Sequence, residues 1–288
     1  MIFRLIAVLL FSVLAVTVAR AEPETVYFRS ADGRTDIAGY LFRPNAPGPR
    51  PAIVLLHGRA GPYSANYNKD CQQVARRVRS PCNATTLSKR HMMWGEFWAA
   101  RGVIALLPDS FGPRGVAHGF GRFSHGDPER DEVNEKTVRP LDAEGALTYL
   151  RGRPDVAANR IFVQGWSNGG STALNVMIRQ GDRAGFRAAL VFYPGCGRAA
   201  LLEDTVETAA PLSMFLGAED EEVSPEICQH VAERSLKAGT DIAVMLYRGA
   251  THDFDDPGER RQAVPDNKAA RADALARAAA VIDRTGKP

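Results

Sequence analysis

The stretch Ala52-Ile53-Val54-Leu55-Leu56 is apolar without interruption, and it is one of a series. Val103–Leu107, Ile161–Val163, Ala188–Phe192, Leu212–Leu216 and Ile242–Tyr247 follow it, with Ser213 the one polar residue among them. A strand with one wet face alternates apolar and polar residues, so short continuous runs of this kind predict strands covered on both faces. Between the runs lie helical patterns: His91–Ala100, Pro140–Arg151, Ser171–Gln180, Pro225–Ala238 and Asn267–Asp283. Buried strands alternating with helices predict an α/β fold, a mostly parallel, doubly wound sheet with helices on both faces and right-handed crossovers. Two short strands, Thr25–Phe28 and Ile37–Phe42, are expected before this series, around a turn at Ala31-Asp32-Gly33. No repeat or low-complexity linker divides residues 22–288, which read as one domain.

The first residues read differently. Arg4 is a positive n-region, Leu5–Ala19 is almost wholly apolar, and Ala19-Arg20-Ala21 fits a small-x-small cleavage site. This predicts a signal peptide over residues 1–21 and export to the periplasm or beyond. The apolar run is shorter than the ~20 residues of a spanning helix, and no later stretch predicts a membrane span. Losing Arg4 and Arg20, with no acidic residue among the first 21, takes the formal charge from +3 to +1. A near-neutral chain has no electrostatic reason to seek nucleic acid or an anionic membrane. In an oxidising compartment the four cysteines are expected to pair, and three connectivities exist. Cys71–Cys82, a local clasp, and Cys196–Cys228, a tie between two loops, are favoured. Zinc is the alternative, poorly supported because no pair has C-x-x-C spacing. Nothing in the sequence asks for a metal or organic cofactor.

Chemistry is expected beyond the carboxyl ends of the strands, where such sheets form their crevice. Gly165-Trp166-Ser167-Asn168-Gly169 joins a predicted strand to a predicted helix. G-x-S-x-G in that setting is a nucleophile elbow, a turn so tight that flanking side chains would collide. A serine hydroxyl needs a base to take its proton and an acid to orient that base. Asp220, after the strand ending at Leu216, and His252, after the strand ending at Tyr247, follow in the order Ser, Asp, His. Ser167 is therefore the candidate nucleophile, His252 the base and Asp220 its orienter. Glu219 and Glu221 are the nearest substitutes for Asp220. His125 and His230 do not suit the order, and His57 reads as a structural loop residue. The backbone N–H groups of Arg59 and Asn168 are the candidate oxyanion hole. The long irregular stretches 59–90 and 109–137 are expected to roof the crevice.

Taken together, His57-Gly58, Leu107-Pro108-Asp109-Ser110-Phe111-Gly112, the serine elbow, Gly217-x-x-Asp220 and Gly249-Ala250-Thr251-His252-Asp253-Phe254 resemble the dienelactone hydrolase family of α/β-hydrolases. The likeness runs from Ile37 to about Ile282 and implies the α/β-hydrolase fold and ester-cleaving chemistry on a small-molecule ester or lactone. The namesake enzymes carry a cysteine nucleophile where this chain has Ser167. They grip the substrate carboxylate with arginines. Arg114 matches one of these, but the position four after His252 is Asp256. The dienelactone substrate is therefore not carried over. Arg114 and Trp166, beside the serine, are the candidate substrate-binding residues. Competing readings are a serine peptidase related to the prolyl oligopeptidase group and a binding protein on a hydrolase scaffold.

Overall fold

The computed structural model describes residues 22–122, 124 and 126–285. The expected signal peptide and His125 lie outside them. The strands are β1 (Glu24–Arg29), β2 (Asp36–Phe42), β3 (Arg50–Leu56), β4 (Ile104–Asp109), β5 (Val156–Trp166), β6 (Ala189–Phe192), β7 (Leu212–Gly217) and β8 (Ile242–Tyr247). They form one sheet in the order β1-β2-β4-β3-β5-β6-β7-β8. The β1–β2 and β2–β4 pairs are antiparallel and the remaining neighbours parallel. The helices are α1 (Lys89–Ala100), α2 (Pro128–Asp131), α3 (Arg139–Arg151), α4 (Asn168–Gln180), α5 (Pro225–Lys237), α6 (Glu259–Gln262) and α7 (Pro265–Thr285). This is the α/β-hydrolase fold.

The period of two along β3 shows why its sequence is apolar throughout. Ala52, Val54 and Leu56 share one apolar layer with residues of α3, α4 and α5 such as Ala143, Leu174 and Val231. Ile53 and Leu55 face the other way, into a layer holding Trp94 and Trp98 of α1 and Ala270, Ala274 and Ala278 of α7. Neither face of the strand meets water, so neither tolerates a polar residue.

Two elements start three or more residues ahead of the sequence reading. β5 begins at Val156, five residues before Ile161. Its pairing with β3 jumps from Arg50↔Val156 to Ala52↔Ile161, so the partly exposed segment 157–160 bulges and needs no apolar pattern. α4 begins at Asn168 rather than Ser171, although Gly169-Gly170 are poor helix formers. Here the packing of the turn, not propensity, starts the helix.

Candidate active site

Ser167 connects β5 to α4 in a left-handed backbone conformation, φ +52° and ψ −120°. Holding a non-glycine residue there costs on the order of 1–3 kcal/mol, which the surrounding packing must supply. A side chain on Gly165 would collide with the carbonyl of Gly169, and one on Gly169 with the carbonyl of Leu56. Glycine at both positions is thus a steric requirement of the turn. The Ser167 N–H donates to Phe192 O at 2.9 Å, fixing the turn to the end of β6. Asn168 opens α4, where the first N–H groups have no intrahelical acceptor and the helix dipole favours negative charge.

Asp220 sits in the turn after β7, its Oδ1 accepting from the N–H groups of Glu222 (2.8 Å) and Val223 (2.9 Å). Its other oxygen lies 2.8 Å from Nδ1 of His252. Because the carboxylate accepts, Nδ1 carries the hydrogen and Nε2 keeps its lone pair. Both side chains are 2% exposed. Burial lowers the imidazole pKa, but the hydrogen bond to Asp220 and the charges of Asp253, Asp220 and Glu222 outweigh it, and the net shift is upward. Of the substitutes considered, Glu221 accepts from the backbone N–H of His252 (2.9 Å) rather than from the ring. His230 stands exposed on α5 beside Glu233.

Ser167 and His252 line one cavity of about 250 Å³. A second cavity, about 320 Å³, opens on the other side of Ser167. Arg59, Ser167 and Glu222 line both. The Arg59 guanidinium bonds Glu222 at 2.8 Å and the carbonyl of Phe120 at 2.9 Å, while Arg122 reaches the same glutamate at 2.7 Å. Glu222 Oε2 also lies 3.8 Å from Nε2 of His252. This bridge marks the boundary between the cavities. Sequence reasoning passed over the Arg59 side chain and Glu222, because one is 163 positions from the other. The available signals were that Arg59 is itself a candidate oxyanion donor and that Glu222 lies two positions after Asp220.

The loop after β3 approaches the serine closely: a Cβ on Gly58 would lie 3.4 Å from the Trp166 carbonyl and 3.7 Å from Ser167 Cβ. His57 is fully buried; its Nε2 accepts from the Ser110 N–H (3.3 Å) and its Nδ1 donates to Gly58 O (2.8 Å). Burial, aided by Arg139, pulls its pKa well down. A neutral ring with both nitrogens engaged is a brace, not a second base. Arg139, also fully buried, donates to His57 O at 2.6 Å and to the Asn168 side chain. One guanidinium therefore ties together the two segments that carry the candidate oxyanion donors. No local pattern around Arg139 marks it for that role.

Arg114 stands apart and lines neither cavity beside Ser167. Its guanidinium is bidentate to buried Asp142 (2.8 and 2.9 Å) and donates to Ser110 O (2.7 Å), so it pins the loop after β4 to α3 instead of reaching a substrate. Removing one partner of a buried pair leaves the other charge uncompensated. Asp142→Ala is expected to cost about 3 kcal/mol of stability, read from the urea midpoint; an unchanged midpoint would show the pair to be inert. Trp166 is also no wall of either cavity: it is buried, and its indole N–H donates to Asp255 at 2.8 Å. Disulfides join Cys71 to Cys82 and Cys196 to Cys228. The second ties the loop after β6 to α5, and Cys196 lines the larger cavity. No helix among the described residues is long and apolar enough to cross a membrane.

The family model described as the dienelactone hydrolase family matches residues 89–285. No curated protein matches the chain. Solved structures that resemble it include a dienelactone hydrolase-like promiscuous phosphotriesterase from metagenomic libraries: 18% identity, TM-score 0.66, covering 92% of this chain and 99% of that one. A putative dienelactone hydrolase from Klebsiella pneumoniae subsp. pneumoniae is 15% identical, TM-score 0.64, covering 90% and 99%. Thermogutta terrifontis esterase 2, phosphoramylated by tabun, is 20% identical, TM-score 0.61, covering 95% and 98%. At these identities the likeness is one of fold.

Proposed function

The chain belongs to the dienelactone hydrolase family, and from that footing we propose that it is an exported serine hydrolase cleaving a carboxylic ester or lactone through an acyl-enzyme. Residues 22–288 are its catalytic domain. The observation that carries this reading is the 2.8 Å contact of Asp220 with the Nδ1 of an imidazole that shares a cavity with Ser167. The Thermogutta esterase is named as phosphoramylated by tabun, and a serine hydrolase of this fold is expected to react with such an electrophile. The two disulfides accord with export to an oxidising compartment.

His252 Nε2 takes the Ser167 proton as Oγ attacks the ester carbon. The oxyanion so formed is held by the N–H groups of Arg59 and Asn168, at the positive end of α4. Asp220 stabilises the imidazolium, which passes its proton to the departing alkoxide; water then repeats the sequence on the acyl-enzyme. Because the leaving oxygen must lie against the protonated imidazole, the cavity lined by His252 takes the alcohol. The cavity lined by Asn168, Ser171 and Ile227 takes the acyl group.

A panel of short-chain p-nitrophenyl esters and peptide p-nitroanilides tests the bond class. The esters are expected to turn over and the anilides to remain intact. Cleavage of anilides without esters would make the protein a peptidase. An inert chain, unlabelled by a fluorophosphonate, would make it a binding protein.

A further inference from the structure

Asp255, three residues beyond His252, is fully buried and takes no part in the proposed proton transfers. A buried carboxylate without donors costs several kcal/mol, so its neighbours are informative. Oδ2 accepts from Trp94 Nε1 of α1 (2.7 Å) and Trp166 Nε1 (2.8 Å), and Oδ1 accepts from the Tyr193 hydroxyl. Arg90 Nε stands 3.6 Å from the same oxygen. Burial raises the pKa of the carboxyl, and Arg90 and these hydrogen bonds offset that only in part, so the net shift is upward. Every hydrogen-bonding neighbour donates, so the site is built for the anion.

The partners explain what the anion holds. Trp166 is the residue before Ser167, at the end of β5. Tyr193 follows β6 with φ +34°, another left-handed non-glycine residue, and its ring centroid lies 4.7 Å from that of His252. Arg90 also pairs with Asp253 (2.7 Å) and Asp256 (3.3 Å), on either side of Asp255 in the loop that carries the imidazole. One carboxylate thus gathers the strand end behind the nucleophile, the ring against the base, and the base's own loop. Asp220 restrains the imidazole through Nδ1 alone; the Tyr193 ring, tilted 60° to it, packs against the imidazole as well.

We propose that Asp255 is a positioning residue, which fixes the Tyr193 ring against His252 and thereby sets the base relative to Ser167. This rests on the serine-hydrolase reading. Tyr193→Phe removes one oxygen and leaves the ring, so it tests the link with little risk to folding. It is expected to lower kcat about tenfold and leave KM within about twofold, since misplacing a reacting group costs rate rather than binding. Asp255→Asn, which turns an NH₂ toward donors, is expected to lower kcat about a hundredfold. A base held in register with Asp220 favours the imidazolium, so in both variants the acid limb of the kcat/KM profile should move to lower pH. The double variant should lose no more than Asp255→Asn alone, because the two act through one link. Ser167→Ala, run in parallel on the same ester, keeps the two ideas apart. If it is inactive while Tyr193→Phe retains wild-type kcat and an unmoved acid limb, the positioning role is overturned and the hydrolase reading stands. If it remains active, the reading beneath both fails.

Discussion

Ser167→Ala is expected to lower kcat on a short-chain ester roughly a million-fold, leaving a residue of about a thousandfold over water from the oxyanion donors and binding. The size follows from what is lost. The imidazole and its carboxylate lose the hydroxyl they activate, and only the oxyanion donors and substrate binding still lower the barrier, for direct attack by water. Alanine carries the same Cβ as serine and pays about the same cost in this backbone conformation, so the variant should fold with nearly the stability of the parent. Steady-state kinetics on the two proteins checks this, and equal rates would end the assignment.

Asp220→Asn should produce the next largest loss, on the order of ten-thousandfold in kcat. The amide can present its NH₂ to Nδ1, which would then hold the lone pair and leave the hydrogen on Nε2, facing the serine. The pH profile carries a second sign. His252 must be neutral to act as base, and its pKa lies above the ordinary value of 6.5. kcat/KM of the parent should therefore rise with pH through a midpoint above 6.5. Without the carboxylate that upward pull is reduced, and the midpoint should move down. Stability follows the same linkage: a raised folded pKa contributes fully below the unfolded value, and the contribution fades as pH climbs through the folded one. An unmoved acid limb in Asp220→Asn would mean that another group sets the pKa of the base.

The fold was legible because parallel strands leave a mark that local sequence can carry. Ile53 and Leu55 are as apolar as Val54 and Leu56, since both faces of β3 are covered. The bulged start of β5 left none, because residues 157–160 reach beyond that cover. The elbow was legible for a steric reason: Gly165 and Gly169 are demanded by backbone atoms. Side-chain partnerships across the crevice were not. Arg59 meets Glu222, and Tyr193 meets Asp255 across 62 positions, only once the sheet has brought several strand ends together. The same limit bears on Arg114, named from the family resemblance, and on Trp166, named as the residue before Ser167. Buried acceptors, Asp142 and Asp255, engage them, and neither lines the two cavities. The proposed export rests on the pattern of residues 1–21 and on the disulfides, and N-terminal sequencing of the mature protein would check cleavage before Glu22.

Acid-quenched turnover of a p-nitrophenyl ester, followed by peptide mass spectrometry, reaches the central claim most directly. The account predicts an acyl group on the peptide bearing Ser167, formed within the first turnover and absent from Ser167→Ala. Steady hydrolysis with no acyl mass on any peptide, or with that mass on another residue and Ser167→Ala still active, would contradict it.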